Sequence, residues 1–307
     1  MIPKVSVVIP THNRAHLLAR ALQSILRQTY RNIEILVVDD GSTDQTTHTV
    51  GSFNDSRIVY IRSAQNKGAA AARNIGINAA EGEFVAFQDS DDEWLHDKLA
   101  KQMTLFAQLP PAVGVVYAGY HKVTGLNKEY VSARQAVRKR RRIHRQLLEG
   151  NFIALPTVIV RRRCLASVDG FDESLPRLQD WDLFIRLAKE YDFACIDEPL
   201  VTAYATAGSI STNRQALLQA QESLFKKYRE DIAKDSMLLA HWCYALGSLC
   251  CALSEFDSGR ALLRRAAKLR PLNVKYVADT LSSALGRDFY YKAIGWRQVI
   301  KRATGIS

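Results

Sequence analysis

Three carboxylates within four residues, Asp89, Asp91 and Asp92, form the pattern in this chain with the clearest chemical meaning. They follow the apolar run Phe84-Val85-Ala86-Phe87, which is typical of a buried strand, and open α/β sheets bind ligands where such strands end. Neighbouring carboxylates raise one another's pKa unless a cation neutralises them. A few hard oxygen donors suit Mg²⁺ or Mn²⁺ that also carries phosphates. The run indicates a metal and phosphate site, or else a solvated acidic turn ahead of a helix predicted over His96–Ala107.

The first half of the chain alternates strand-like apolar runs with helical stretches, a pattern that favours a parallel sheet covered by helices. Strands buried on both faces are nearly continuous in Val, Ile and Leu, and the runs here have that composition. The predicted fold class is therefore α/β, with a mixed, mostly parallel sheet flanked by helices. The predicted strands are Val5–Ile9, Ile33–Val38, Ile58–Ile61, Phe84–Phe87 and Val113–Tyr117.

Polar residues follow the early strands and suit a nucleotide. The first strand is followed by Pro10-Thr11-His12-Asn13-Arg14 and the second by Asp39-Asp40-Gly41-Ser42, so both segments are expected at one edge of the sheet. Carboxylates there can accept hydrogen bonds from a base or a ribose, although Asp40 and Ser42 can equally serve only to shape a turn. Asn66-Lys67-Gly68 and Arg73 open a helix whose first turn offers N–H groups and positive charge to phosphate. Lys67 or Arg73 alone is more often a solvated charge.

Two common nucleotide-binding motifs are missing from the sequence. It contains neither Gly-x-Gly-x-x-Gly nor Gly-x-x-x-x-Gly-Lys-Ser/Thr. Dinucleotide-binding proteins and P-loop proteins are therefore disfavoured.

The order of these segments resembles that of the inverting family 2 glycosyltransferases. The matching segments are Pro10-Thr11-His12-Asn13-Arg14, Val37-Val38-Asp39-Asp40-Gly41-Ser42, Asn66-Lys67-Gly68 with Ala72-Arg73-Asn74, and Asp89-Ser90-Asp91-Asp92-Glu93-Trp94. The resemblance extends through about residue 210. It implies a GT-A domain, a nucleotide-diphosphate sugar donor held with Mn²⁺ or Mg²⁺, and in-line displacement at the anomeric carbon by an acceptor hydroxyl.

The resemblance also implies roles for individual residues. Asp91 is the implied metal ligand, Asp40 contacts the base, and Asp89 and Asp92 contact the donor sugar or the ribose. The residues implied to bind the nucleotide sugar are Pro10, Thr11, Asn13, Arg14, Asp40, Lys67, Arg73, Asp89 and Asp92. His12 departs from the family, which usually has an aromatic such as Tyr at that position, so the nucleobase preference stays open.

A base that removes the acceptor proton is implied by a later match. Leu178-Gln179-Asp180-Trp181-Asp182 resembles the family's acidic stretch on a helix facing the donor, which makes Asp180 the implied catalytic base. Gln179 replaces the usual Glu, so a neighbouring carboxylate that would raise the pKa of Asp180 is missing. Asp182 fits an ordinary charge at a helix N-terminus, and Trp181 fits either the core or an acceptor platform. Asn151-Phe152-Ile153 also resembles a family element and is interpreted as scaffold.

The net charge of +11 is concentrated in part of the chain. A block of seven basic residues without acids runs from Arg134 to Arg145 and includes Arg138-Lys139-Arg140-Arg141-Arg142. Such a block is typical of a solvated loop, and it also suits docking to anionic lipid or to a lipid-diphosphate acceptor. Without aromatic-interleaved motifs, nucleic acid is not an expected partner.

The C-terminal part has a different pattern. We predict a GT-A glycosyltransferase domain over residues 1–214 and an all-helical extension over residues 215–307. Basic helices are predicted near Ala261–Arg270 and Phe289–Arg302, where they suit a membrane surface or a partner, or simply form ordinary helix surface.

The expected location is cytoplasmic, including a peripheral position on the inner face of the plasma membrane. The sequence shows no signal-peptide pattern and no apolar run of membrane-spanning length. Its five cysteines have no Cys-x-x-Cys spacing, so neither disulfides nor a zinc site are expected.

Together these patterns predict an inverting glycosyltransferase that builds a surface polysaccharide or glycoconjugate on a saccharide or lipid-linked acceptor. One alternative is a catalytically idle GT-A scaffold that recruits partners through its basic block and helical tail. A nucleotidyltransferase is a further alternative, but the glycine-rich basic loop that it would need is not in the sequence.

Overall fold

The computed structural model describes residues 2–134, 143–205 and 213–292. Arg138-Lys139-Arg140-Arg141-Arg142 of the basic block and most of the helix predicted over Phe289–Arg302 lie outside the described residues. The chain divides into two compact units. The first comprises residues 1–174 and 179–209, and the second comprises residues 175–178 and 210–307.

The first unit is built on one mixed sheet with the strand order β3-β2-β1-β4-β8-β6-β9-β5, with β7 paired to β6. Strands β3, β2, β1 and β4 are parallel, β8 is antiparallel to both of its neighbours, and β6 and β9 run parallel. The strands are β1 Val5–Thr11, β2 Ile33–Asp39, β3 Ile58–Arg62, β4 Phe84–Phe87, β5 Glu93–Trp94, β6 Val113–Thr124, β7 Asn127–Val131, β8 Ile159–Arg161 and β9 Asp192–Tyr204. This arrangement confirms the predicted α/β class with a mixed, mostly parallel sheet.

Helices cover both faces of the parallel part of the sheet. Val7 and Ile9 of β1 join a buried cluster with Leu18 and Leu22 of the first helix, whereas Val8 points the other way, because side chains alternate along a strand. The helices of this unit are α1 Ala15–Leu26, α2 Thr46–Gly51, α3 Ala69–Ala79, α4 Lys98–Ala107, α5 His144–Glu149, α6 Arg162–Ser167 and α7 Gln179–Glu190, with a 3₁₀ turn at Leu155–Thr157.

Helix α3 approaches the sheet closely through a glycine. A Cβ added at Gly76 would collide with the Val8 side chain of β1 and come within 3.3 Å of Val38 in β2. Because only glycine permits this approach, α3 is held directly against the strands whose ends carry the predicted site.

Among the predicted boundaries that were wrong, two show the effect of strand pairing. The strand predicted to end at Tyr117 continues to Thr124, because its second half pairs with both β7 and β9. The helix predicted from His96 begins at Lys98, after the short strand β5 has paired with β9. Both errors come from pairing with distant strands, which local sequence patterns do not show.

The second unit is helical in its described part, with α8 Arg214–Lys227, α9 Arg229–Ala233, α10 Ser236–Ala252, α11 Phe256–Leu269 and α12 Val274–Ala284, followed by helical residues 287–292. Helices α10 and α11 touch through two glycines, since a Cβ at Gly247 would lie 2.9 Å from the Gly259 carbonyl oxygen. Among the described residues, no helix combines the length and apolar character that a membrane span requires.

Candidate active site

The carboxyl ends of β1, β2 and β4 lie side by side at one edge of the sheet. In the parallel register Thr11 lies opposite Asp39, and Val8 opposite Phe87, so the segments after all three strands emerge together. This edge is where open α/β sheets bind ligands. The acidic run and the polar loops predicted from the sequence therefore meet in space.

Asn13 joins the loops after β1 and β2. Its backbone has a φ of 51°, its amide N–H donates to Ser42 Oγ at 2.9 Å, and its side-chain Oδ1 accepts the Thr43 amide at 2.8 Å. Asparagine tolerates the left-handed conformation better than most residues. Asn13 thus fixes the geometry of the loop edge, with its side chain exposed.

Asp40 is the anchor between the β2 loop and the start of α3. The carboxylate is buried, and its two oxygens accept the backbone N–H groups of Lys67 at 2.9 Å and Gly68 at 2.7 Å. Those two amides are thus already bonded to a protein carboxylate, and the Lys67 side chain itself is exposed. Gly41 adopts the positive φ expected for this turn, at 76°.

Pro10 and Thr11 are the last two residues of β1 and lie beneath the loops at this edge of the sheet. Both are buried, and the Thr11 carbonyl accepts the Asp40 amide at 2.9 Å. Thr11 Oγ1 is a buried hydroxyl without a hydrogen-bond partner in the described structure. Buried polar atoms are normally satisfied, so this hydroxyl is the kind of group that a ligand can complete.

Arg73 on α3 faces the acidic run after β4. Its Nη2 lies 2.7 Å from Asp89 Oδ1, and its guanidinium lies over the Phe171 ring at 5.5 Å. The Arg73 side chain is nearly buried, whereas the Asp89 side chain is one-third exposed. The pair leaves a carboxylate open to solvent beside a fixed positive charge.

Asp91 is held by two arginines of α1 and its preceding loop. Arg14 Nη1 lies 2.6 Å from Asp91 Oδ2, and Arg20 donates to the Asp91 backbone oxygen. The Arg20 guanidinium stacks on the Tyr204 ring at 4.0 Å. Arg14 and Asp91, predicted as a nucleotide contact and the metal ligand, are thus ion-paired to each other.

Asp92 points into the protein. Its Oδ1 accepts the Tyr204 amide at 3.1 Å, and its backbone oxygen accepts the Gln88 side chain at 2.7 Å. Burial, followed by the nearby Asp89 carboxylate, raises the pKa of Asp92 to about 8. This carboxyl group ties the acidic run to the end of β9.

Asp180 lies in the first turn of α7, where the charges of Arg73 and Asp89 act on it. Its Oδ2 accepts the Asn151 side-chain N–H at 2.9 Å. Burial raises the pKa of Asp180, the Arg73 charge lowers it and the Asp89 charge raises it, so all three groups are within electrostatic reach. Asn151 was interpreted from the sequence as scaffold; its hydrogen bond to Asp180 makes it part of the site. The sequence signal for Asn151 was its place in a segment that resembles a family element, but only the fold brings Asn151 close to α7.

The two residues after Asp180 are structural. Trp181 is buried and donates its indole N–H to the Leu147 carbonyl at 2.5 Å, so it belongs to the core. Asp182 is fully buried and pairs with Arg186 at 2.8 Å, while Arg186 also donates to the Gly170 carbonyl. Both side chains fix α7 and thereby the orientation of Asp180.

The carboxylates of this site fit a hard divalent cation that is held by one or two protein oxygens and otherwise by a bound phosphate and water. Across residues 2–134, 143–205 and 213–292 no cluster of three His, Cys, Asp or Glu side chains is arranged around a metal position. Asp91, which pairs with the Arg14 guanidinium, and Asp89, which is one-third exposed, can supply one or two carboxylates. Mg²⁺ and Mn²⁺ bound through one or two carboxylates complete their shells with phosphate and water.

Comparisons with known proteins identify related sequences. The sequence profile described as "Glycosyl transferase family 2" matches residues 6–168. The chain is 31% identical over 229 residues to the Escherichia coli UDP-Glc:alpha-D-GlcNAc-diphosphoundecaprenol beta-1,3-glucosyltransferase WfgD, covering 74% of this chain and 87% of that protein. It is 36% identical over 202 residues to the putative colanic acid biosynthesis glycosyl transferase WcaA of Escherichia coli K12, covering 62% and 67%.

Solved structures share the fold. The Staphylococcus aureus TarS fragment 1–349 in complex with UDP-GlcNAc superposes with a TM-score of 0.64 at 21% identity, over 96% of this chain and 92% of that one. The mannosyltransferase PcManGT from Pyrobaculum calidifontis, in complex with GDP-Man and Mn²⁺, gives a TM-score of 0.60 at 21% identity, over 100% and 89%. The profile match over more than half of the chain, together with the WfgD relative, shows that this protein is a member of glycosyl transferase family 2.

Proposed function

We propose that this protein transfers a sugar with inversion from a nucleotide-diphosphate sugar to an acceptor hydroxyl in the synthesis of a surface polysaccharide or glycoconjugate. The observation that carries the proposal is the convergence of Asp180 with the Arg73–Asp89 pair at the carboxyl edge of the sheet. Asp180, which can accept a proton, thus lies within electrostatic reach of the Arg73 guanidinium and of the partly exposed Asp89 carboxylate, a pair suited to a sugar diphosphate. The proposed catalytic domain covers residues 1–214, with a helical domain over residues 215–307.

In the proposed donor complex the base and ribose lie along the loops after β1 and β2. The Asp40 carboxylate supplies hydrogen-bond acceptors there, and the unpartnered Thr11 hydroxyl supplies a donor. Arg14 and Arg73 supply positive charge for the diphosphate. Guanidinium groups suit phosphate because their N–H donors match its oxygens. Pro10, Asn13 and Lys67 shape or flank the same edge, with Asp89 and Asp92 on the side of the sugar.

Asp91, with Asp89 beside it, would hold the cation. A bound Mn²⁺ or Mg²⁺ supplies positive charge where the leaving diphosphate develops negative charge. The support from this structure is the donor set itself, and a similarly folded mannosyltransferase was solved with Mn²⁺.

Asp180 acts in this proposal as the general base. The acceptor oxygen bonds to the anomeric carbon on the face opposite the diphosphate, the bond to the diphosphate oxygen breaks, and the acceptor proton passes to Asp180. A carboxylate whose pKa is raised by burial is a stronger base than a solvated one, which favours proton removal near neutral pH. Asn151 keeps the carboxylate in one orientation.

A lipid-linked saccharide is the acceptor class that the relatives favour. WfgD and the Escherichia coli WfaP, which is 29% identical over 248 residues, are both described as acting on a GlcNAc-diphosphoundecaprenol. We propose an acceptor of that chemical kind, reached by the protein from the inner face of the plasma membrane.

The test is nucleotide binding by thermal shift with UDP, GDP, CDP and dTDP, each with and without Mn²⁺. One nucleotide should raise the melting temperature, more strongly with Mn²⁺, and Asp91→Ala should abolish the metal-dependent part. Asp257→Ala, an exposed acid in the helical unit, is the matched control and should behave as the wild type. No stabilisation by any nucleotide in folded protein would favour the idle scaffold instead.

A further inference from the structure

Helix α12 buries polar residues and exposes apolar ones. Asp279, Ser282 and Ser283 are at most 4% exposed, whereas Val274 is 80% exposed, Leu281 61% and Leu285 68%. The exposed residues are spaced seven and four apart, which places them on one face of the helix, opposite Asp279 and Ser283. We call the exposed set Val274, Leu281 and Leu285 the α12 stripe. This burial pattern is the reverse of that of an ordinary helix on a globular surface.

Hydrogen bonds fix the helix in this orientation. Asp279 accepts the Tyr244 hydroxyl at 2.5 Å, and the Ser283 carbonyl accepts Arg260 Nε at 2.7 Å. The Thr280 hydroxyl donates to the Leu263 carbonyl at 3.0 Å. Rotating the stripe inward would break all of these bonds, so its exposure is built into the packing of the unit.

Two further apolar side chains near the ends of α12 are also exposed. Leu272, just before the helix, is 95% exposed, and Phe289, four residues after Leu285, is 50% exposed. Isolated exposed apolar residues are common, but several on one face of a helix mark an interaction surface.

The net positive charge of the sequence around the α12 stripe indicates which kind of partner the stripe would bind. Residues 256–292 contain eight Lys and Arg against three acids, and one of those acids, Asp279, is buried. Lys275 lies beside Val274 on the helix, and Arg287 and Lys292 flank Phe289 in sequence. An exposed apolar helix face in a segment rich in Lys and Arg has the composition of helices that lie in the interface of anionic membranes.

We propose that the α12 stripe docks the helical unit onto the surface of an anionic lipid bilayer. The apolar side chains enter the boundary of the acyl region while the lysines and arginines contact the headgroups. This docking deepens the proposed function, on which its use rests, because a lipid-linked acceptor lies in a membrane. The binding itself needs neither donor nor acceptor.

The experiment is co-sedimentation of the full chain with phosphatidylcholine vesicles, with and without phosphatidylglycerol. Leu281→Asp/Leu285→Asp should weaken binding to the anionic vesicles by about tenfold or more, because two leucines lose their place in the lipid. Leu126→Asp is the matched control, since Leu126 is a fully exposed leucine in the turn between β6 and β7 of the first unit, and it should bind as the wild type. Both stripe residues are exposed, so the melting temperature should stay the same.

Three results would overturn the proposal. The first is unchanged vesicle binding by the double variant, and the second is equal binding with and without phosphatidylglycerol. The third is self-association of the wild type in sedimentation without lipid that the double variant abolishes, which would assign the stripe to a second copy. Loss of sugar transfer to a water-soluble acceptor would count against the proposed function and leave the vesicle result standing.

Discussion

Asp180, the proposed base, and Asn151 form the residue pair on which the proposed chemistry depends most. The Asn151 N–H, 2.9 Å from Asp180 Oδ2, favours the ionised carboxylate, while burial favours the protonated acid. In the proposed mechanism, the balance of these two effects sets the pH above which Asp180 can accept a proton.

Removing the Asn151 amide should therefore shift the pH dependence of transfer. Asn151→Ala removes a hydrogen bond to the charged form, so the pKa of Asp180 rises further. Since the base must be ionised to act, the acid limb of the kcat/KM profile should move to higher pH, with the basic limb unchanged. Asn127→Ala, an exposed residue of β7, is the control. An acid limb that stays in place would mean that Asp180 does not set it.

Lys98 is a second residue whose side chain strongly affects the expected stability of the protein. It is fully buried, its Nζ has no hydrogen-bond partner in the described structure, and it lies 3.9 Å from the Trp94 ring centroid. Burial lowers the pKa of Lys98 well below its usual value. The ring offsets only part of the cost of desolvating an ammonium group.

Lys98→Met should accordingly stabilise the protein, by about 1–3 kcal/mol near neutral pH, because an unpartnered buried donor disappears. The wild type binds fewer protons folded than unfolded between the lowered pKa and about 10.4, so its stability rises with pH in that window. The variant should lose that rise. Urea unfolding at neutral and alkaline pH measures both effects, with Lys128→Met, an exposed residue of β7, as control. A destabilised variant with the wild-type pH slope would contradict this account.

At the scale of elements, the turn after β2 determines whether the site edge forms. Gly41 has a φ of 76°, and a Cβ there would lie 3.0 Å from the Asn66 amide nitrogen. That approach brings the Lys67 and Gly68 amides to Asp40.

Gly41→Ala should lower the free energy of unfolding by about 1–2 kcal/mol from the left-handed backbone alone, and more if the segment before α3 must shift. Nucleotide binding should weaken as well, because Asp40 would lose its partners. Gly51→Ala is the matched control, since nothing lies within 4 Å of the added Cβ at the end of α2. Calorimetric nucleotide titration beside thermal unfolding separates the two effects, and unchanged values for both would contradict the assigned role of the turn.

The elements also show what the sequence could and could not predict. The strands β1, β2 and β4 and their shared edge were predictable, because continuous apolar runs and polar ends are local patterns. The second half of β6 was not, since it exists through pairing with β7 and β9. The Asn151 contact and the core position of Trp181 depend on α5 and α7 meeting, which no short window of sequence encodes.

For the whole molecule, the charge distribution bears on the proposed docking to a membrane. The net charge of +11 is carried partly by the block between Arg134 and Arg145 and partly by the helices around the α12 stripe. Positive charge of this kind steers a protein toward anionic surfaces, and salt weakens that attraction. With the proposed lipid-linked acceptor, the protein would gain from both the attraction and the apolar contact.

The central claim is that Asp180 is the base of an inverting transferase, and one comparison tests it most directly. Sugar transfer and nucleotide-diphosphate binding are measured on the same preparation of Asp180→Asn, beside Glu190→Gln from the exposed end of α7. Transfer should fall by about 10²- to 10⁴-fold while the nucleotide dissociation constant and the control remain as in the wild type. Transfer at the wild-type rate, or a loss of nucleotide binding that accounts for the lost transfer, would contradict the account.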